Sequence, residues 1–285
     1  MKTVSQSGVL APAIIWMLAS LPAVRGKTMT VKNNCPYTIW PGMYTNPHQD
    51  PGFIAVYPDH TTGWEAPPGN TVTFNVPVNW TNGRIWGRQN CNFNKRNGHG
   101  FFCDTGDCSA GLVCDQKDGD GQTPATLAEF TFGGLNNTVH WDGRMQGPFN
   151  DFYDISLVDG FNLPMRITLS EASCKSPDCS ANVNDGCPPQ LLVKNDTGSV
   201  VACNSDCNAN LDGKSHLGNS TICCTDIYDY APKCPSSGIP HYQYFKSKCK
   251  NTYCYAFDDY PSSNSTAVWT CASTLRSDYT ITFCP

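Results

Sequence analysis

The sequence predicts an all-β-dominated fold: an antiparallel β-sandwich or barrel joined to a loop-rich region held by disulfides. Short runs of alternating apolar residues recur between Gly, Pro and Asn turns, the mark of many short strands. The 285 residues include 17 cysteines, far above ordinary usage and typical of an oxidising compartment. Cysteines crowd the stretch from Cys174 to Cys254, where periodic apolar runs are few and Asn, Asp, Gly, Ser and Pro are common. A region of that composition is held by disulfides rather than by a core of its own.

In chain order, Lys2 precedes the apolar stretch Val9–Val24, which holds Pro12 and Pro22. The stretch is too short and broken to span a membrane, and Val24-Arg25-Gly26 suits a cleavage site. Residues 1–26 therefore read as a secretory signal and 27–285 as the mature domain. Residues 28–40 hold β-rich runs around the Asn-Cys-Pro turn, with Val31 in the first and Tyr37 to Trp40 in the second. In 71–78, Val72, Phe74 and Val76 share one face; in 84–88, Arg84, Trp86 and Arg88 do. In 127–132, Ala128, Phe130 and Phe132 take one face, and Leu127, Glu129 and Thr131 the other. Residues 153–158 and 164–169 read as two more strands. A short helix is predicted near Tyr242–Lys248, and residues 266–284 return to strand-like alternation, closing back onto the first sheet. The predicted organisation is thus a β core from 27–172 and 266–285, a disulfide-rich insertion over 173–240, and a small lobe over 241–265.

Charge excludes several partners. Charged residues make up 15% of the chain and the net charge is −5, moving to −7 once Lys2 and Arg25 leave with the signal. No basic patch for nucleic acid or an anionic membrane surface is implied. Metal is disfavoured, since no C-x-x-C pair occurs and the histidines are scattered. The Lys117–Gly121 turn lacks the acidic pattern of a calcium loop. Neither G-x-S-x-G nor a phosphate-cradling glycine loop is present, so no cofactor is expected. Asn79, Asn136, Asn195, Asn219 and Asn264 open N-x-[ST] triplets, candidate glycan acceptors on surface loops.

The carboxylates are the chemical candidates. Glu129 lies mid-strand, Asp154 opens another strand, Asp159 sits in an Asp-Gly turn, and Asp258 and Asp259 follow Tyr255-Ala256-Phe257. Glycoside hydrolysis needs two carboxyl groups across a cleft, one to protonate the leaving oxygen and one to activate water or attack. Spacing alone does not show that these acids converge, and solvated or turn-capping carboxylates are the default. Trp40, Trp64, Trp86, Tyr153, Tyr228, Tyr230 and Phe257 are candidates to stack on sugar rings or to fill the core.

Several motifs together resemble the thaumatin-like proteins, the osmotin-like pathogenesis-related group 5 family. These are Cys103-Asp104-Thr105-Gly106-Asp107-Cys108-Ser109-Ala110-Gly111-Leu112-Val113-Cys114, Thr126–Phe130, Asp154-Ile155-Ser156, Asp159–Met165, Cys223-Cys224 and the terminal Phe283-Cys284-Pro285. The resemblance runs from about Thr28 to Pro285, with His99 standing where the family carries Gly. Lengthened loops around 191–201, 208–221, 227–233 and 262–267 resemble a non-plant, fungal member more than the short plant proteins.

The resemblance implies a flattened antiparallel sandwich, a disulfide-rich loop domain, a small third lobe and a cleft between the first two. It also implies eight disulfides: Cys35–Cys284, Cys91–Cys103, Cys108–Cys114, Cys174–Cys271, Cys179–Cys249, Cys187–Cys203, Cys207–Cys223 and Cys224–Cys234. Cys254 is left as a free thiol. The family's acidic cleft carries over onto Arg84, Glu129, Asp154, Asp159 and Asp258. It implies binding of linear β-1,3-glucan and, in some members, slow endo-hydrolysis; the alternative is a non-catalytic, carbohydrate-binding antifungal role. Glu129 is expected to be the proton donor, Asp154 or Asp159 the base or charge stabiliser, and Arg84 the group that keeps one carboxylate ionised. Tyr153 and Phe257 are expected to touch the sugar. The expected protein is a secreted monomer that acts on cell-wall polysaccharide.

Overall fold

The computed structural model describes residues 26–47, 55–116, 119–133, 150–214, 218–261 and 265–285. The expected signal segment up to Arg25, and the acceptors Asn136 and Asn264, lie outside the described residues.

Alternating burial along β1 (Lys27–Asn33) and β12 (Tyr279–Phe283) shows how the first sheet forms, every second side chain pointing into the core. β3 (Thr71–Val76), β1, β12, β7 (Met165–Leu169) and the two-residue β8 (Asp178–Cys179) make this sheet, in that order. All its ladders are antiparallel except β1–β12, which is parallel. The final strand thus joins the sheet the chain began, as the sequence pattern predicts. The second sheet runs β11 (Val268–Ala272), β6 (Asn150–Ser156), β5 (Leu127–Thr131), β4 (Gly83–Arg88), β2 (Trp40–Thr45), antiparallel throughout. Met29, Val31, Phe74, Ile167, Ile281 and Phe283 of the first sheet share one apolar cluster with Ile85, Ala128, Phe130, Tyr153 and Ile155 of the second. Rings cross between the sheets: Phe130 and Tyr153 meet Tyr279 edge-on at 5.6 and 5.3 Å.

The cysteine-rich stretch contains a small hairpin, β9 (Leu192–Lys194) and β10 (Val200–Cys203), and the helix α1 (Tyr242–Lys248). Eight disulfides close the structure, and they are the pairs that the resemblance implies. Cys35–Cys284 joins the two ends across 249 residues of sequence.

Cys254 is free and buried. Burial, with Asp258 nearby, pushes its thiol up to about 12, despite the opposing pull of Lys246. A buried neutral thiol is inert. Thiol titration with a charged disulfide reagent is expected to find no reactive group in the native protein and one per chain in denaturant. Fast labelling of the native protein would show Cys254 to be accessible.

Candidate functional site

The site begins with register. Arg84 on β4 stands opposite Glu129 on β5, and Glu129 opposite Asp154 on β6. Cross-strand partners share a face, with Cβ atoms about 4.5–5.5 Å apart. Three adjacent strands therefore present arginine, glutamate and aspartate as one row across the outer face of the second sheet. Tyr44 of β2 and Val268 of β11 continue that row on either side.

The next row along the strands is roofed. Trp86 and Leu127 pack under Cys108, Cys114 and Ala125, and Trp86 Nε1 donates to Gly106 O at 2.7 Å. Arg88, fully buried, fastens the roof: it donates to the carbonyls of Trp40 (2.8 Å), Gly111 (2.8 Å) and Leu112 (2.6 Å). Burial lowers its pKa to about 10 despite Asp107, and the carbonyl cage still suits a guanidinium. The roof ends at Trp86, so the Arg84 row stays open. Opposite, Tyr253 N donates to Ile155 O (2.9 Å) and Leu157 N to Tyr253 O (2.8 Å). This segment extends the sheet beyond β6 and forms a second wall. A cleft of about 540 Å³ results, lined by Arg84, Glu129, Asp154, Asp159, Phe152 and Tyr253 among others.

Arg84 Nε lies 2.9 Å from Glu129 Oε1, both side chains about one-third exposed. Burial opposes the Arg84 charge, but Glu129, Asp159 and Asp120 outweigh it and raise its pKa. Burial raises Glu129 above the ordinary carboxylate range, with Asp159 adding to the rise and Arg84 opposing it. Asp154 rises further: it is 9% exposed, its Oδ1 has no hydrogen-bond partner, and Glu129 and Asp259 add repulsion to burial. The guanidinium sits on Glu129 and opposes its rise directly, so of the two coupled carboxyls Asp154 is the one more strongly biased toward its protonated form.

These shifts carry a stability consequence. A carboxyl whose folded pKa exceeds its unfolded value adds stability that is fully present below the unfolded pKa and is lost as pH rises through the folded one. Stability is therefore expected to fall as pH climbs from about 4, the ordinary carboxylate value, through the raised values of Glu129 and Asp154. Asp154→Asn is expected to flatten that fall. Denaturant midpoints for both proteins between about pH 4 and pH 7 check this; parallel pH curves would contradict it.

The structure thus brings together Arg84, Glu129, Asp154 and Asp159. It does not bring the other three expected residues. Tyr153 is fully buried on the opposite face of β6, its hydroxyl donating to Lys175 O at 2.6 Å; neighbours on a strand face opposite ways. Asp258 has a side chain only 4% exposed, bound by Lys246 Nζ at 2.9 Å, the Tyr242 hydroxyl at 2.7 Å and Cys254 N at 2.9 Å. It fastens α1 to the turn that follows Cys254. Phe257 packs against the Cys224, Cys234, Ile239 and Tyr255 cluster. Their places are taken by neighbours. Phe152, 46% exposed, lines the cleft with Tyr253. Asp259 faces the Tyr253 hydroxyl and the Asp154 carboxyl and raises both pKa values.

Of the expected glycan acceptors, Asn79 and Asn219 are exposed. Asn195 is half-buried, with its Nδ2 donating to Asp104 Oδ2 at 3.0 Å. Among the described residues no helix is long and apolar enough to cross a membrane, and no group of three or more His, Cys, Asp or Glu is arranged to hold a metal.

Comparison with known proteins adds the following. Residues 33–285 match the Thaumatin family. The chain is 38% identical over 271 residues to Thaumatin-like protein 2 of Prunus persica, covering 94% of each chain. It is 36% identical over 270 residues to a Glucan endo-1,3-beta-glucosidase of Prunus avium, again covering 94% of each. Plant members are therefore as long as this chain, and its lengthened loops are no mark of a non-plant origin. Among solved structures it resembles the thaumatin-like xylanase inhibitor TLXI, with a TM-score of 0.41, 20% identity, and coverage of 90% of this chain and 99% of that one. From the family match and the extent of these identities, the chain belongs to the thaumatin family.

Proposed function

We propose that this protein is a secreted, monomeric binder of cell-wall β-1,3-glucan whose acidic cleft hydrolyses the chain slowly from within. The observation that carries the reading is the Arg84–Glu129–Asp154 row, which puts a carboxylate paired with a guanidinium beside a carboxyl whose pKa is raised further. That is the division of labour glycoside hydrolysis requires. Asp154 gives its proton to the glycosidic oxygen as the bond to the anomeric carbon breaks. Glu129, with Asp159 nearby, faces the positive charge that develops there. Water then adds at the anomeric carbon as the hydroxyl of the new reducing end and gives its other proton to the ionised Asp154, which restores the acid. An acidic cleft suits a neutral polysaccharide, because it favours a cationic transition state and not an anionic substrate. The similarity to a relative named as a glucan endo-1,3-beta-glucosidase supports the same substrate class, and eight disulfides support secretion. Asp154, rather than Glu129, takes the donor role here because the guanidinium sits on Glu129.

Glucan binding without cleavage is a second reading, and one observation favours it: Asp154 is 9% exposed and its Oδ1 is buried, which limits proton delivery. Incubation of purified protein with linear β-1,3-glucan decides between them. New reducing ends from the native protein, and far fewer from Glu129→Gln, are expected. Retention on insoluble glucan with no reducing ends selects binding alone, and the absence of both turnover and retention overturns the glucan assignment.

A further inference from the structure

A second groove, sharing no lining residue with the acidic cleft, lies beside the Cys35–Cys284 disulfide. At about 670 Å³ it is the larger of the two and within the range of ligand sites. Its lining is rich in side-chain amides, including Gln89, Asn90, Asn182, Asn184 and Asn195, with Tyr37 at its edge. No Lys or Arg lines it, and Asp185 is the one charged residue among its described lining.

These amides are held in place. Asn90 Nδ2 and Asn195 Nδ2 both donate to Asp104 Oδ2, each at 3.0 Å. Thr105 Oγ1 donates to Gln89 Oε1 at 3.1 Å, and Gln89 Nε2 reaches the Tyr37 oxygen at 3.5 Å. Asn184 N donates to Asn182 Oδ1 at 3.2 Å. Each bond uses one end of an amide and fixes the direction of the other, so Asn90 Oδ1, Asn182 Nδ2 and the Tyr37 O–H remain available to a ligand. Asn184 donates to the carbonyls of Asn162 (3.3 Å) and Val201 (3.5 Å), while its own Oδ1 is buried without a partner. An acceptor left unfilled at the base of a groove is costly. Tyr37 is 44% exposed, and burial raises the pKa of its hydroxyl, with the Gln89 contact opposing.

Between them these side chains offer an acceptor on Asn90 and donors on Asn182 and Tyr37, groups that pair with sugar hydroxyls, which both donate and accept. A tyrosine face complements the C–H surface of a sugar ring. The absence of cationic side chains disfavours a phosphate or a carboxylate. We infer that this groove is a second, non-catalytic binding site for a neutral polysaccharide, holding wall glucan while the acidic cleft engages the same or a neighbouring chain. The saccharide class rests on the function proposed above; the site does not require the cleft to be catalytic.

The test separates the two sites. Asn195 borders the groove and is a candidate glycan acceptor, so the protein is made in a host that adds no N-linked glycan. Binding of a linear β-1,3-glucan hexasaccharide, and retention on insoluble glucan, are measured for Tyr37→Ala/Asn182→Ala and for Glu129→Gln. Both groove positions are exposed, and an unchanged melting temperature verifies the fold. The groove variant is expected to bind insoluble glucan about tenfold more weakly, the loss of one good contact, while its turnover of the hexasaccharide stays unchanged. Glu129→Gln is expected to keep most of its retention. Tyr37→Phe, which keeps the ring, is expected to fall between native and double variant. Unchanged retention in the groove variant overturns the site whatever the cleft does. Loss of all retention in Glu129→Gln, with the groove intact, overturns it as well.

Discussion

Asp151→Ala is expected to cost about 3–5 kcal/mol of folding stability, the range for removing one partner of a buried ion pair. Asp151 and Lys27 are 0% and 2% exposed and are paired. Asp151 also accepts from the Tyr279 hydroxyl at 2.8 Å, the Ser273 hydroxyl at 2.7 Å and Gly133 N at 3.3 Å. Lys27 Nζ lies 5.1 Å from the centre of the Phe132 ring. The network ties the start of β1 to β6 and β12, and so joins the two sheets. Without Asp151 the ammonium has no counter-charge and two hydroxyls lose their acceptor, while ring contact returns only a part of the loss. The cost belongs to the broken pair rather than to the pair's net worth, so Lys27→Met/Asp151→Leu is expected to recover most of it. Denaturant midpoints with the disulfides intact measure both, and a loss below about 1 kcal/mol, the level of an exposed pair, would refute the interpretation.

Periodicity made most of this architecture legible. The alternation in sequence around Phe74, Phe130, Ile155 and Ile167 selects the inward faces observed, whereas β4, the start of β5 and the end of β6 are buried on both faces, where the roof covers the outer one. The run expected over Tyr37–Trp40 is found displaced to Trp40–Thr45, across Pro41 and Gly42, residues that are ordinarily poor in strands. Both are accommodated by position. β2 is the edge of its sheet, where a missing N–H is tolerated, and a side chain at Gly42 would meet the Trp86 ring at 2.6 Å. The β9–β10 hairpin was hidden in a region read as irregular, although apolar residues flank the turn-forming Asn195-Asp196-Thr197-Gly198. In the site, strand alternation already forbids Tyr153 and Asp154 from sharing a face and selects Phe152. The choice between Asp258 and Asp259 was not legible. It depends on Lys246 and Tyr242 of α1 claiming the first of them, a tertiary contact that no local pattern encodes.

Asp154→Asn and Glu129→Gln are each expected to lower kcat on linear β-1,3-glucan by about 10²–10⁴, the usual worth of a general acid or base, but to leave opposite traces on the pH profile. A group that must be protonated sets the alkaline limb of a bell-shaped profile, and one that must be ionised sets the acid limb. Asp154 carries the more strongly raised pKa and Glu129 the guanidinium. Asp154→Asn is therefore expected to remove the alkaline limb and Glu129→Gln the acid limb. An activated aryl leaving group departs without protonation, so Asp154→Asn is expected to retain much of its turnover on an aryl β-1,3-glucoside, whereas Glu129→Gln stays slow. Exchange of the two limbs would return the donor role to Glu129 and make Arg84 a brake on catalysis. Arg84→Gln adds an independent check: without the guanidinium the Glu129 pKa rises further, and the acid limb is expected to move to higher pH. An unmoved limb would mean that the 2.9 Å contact does not control the charge of the cleft.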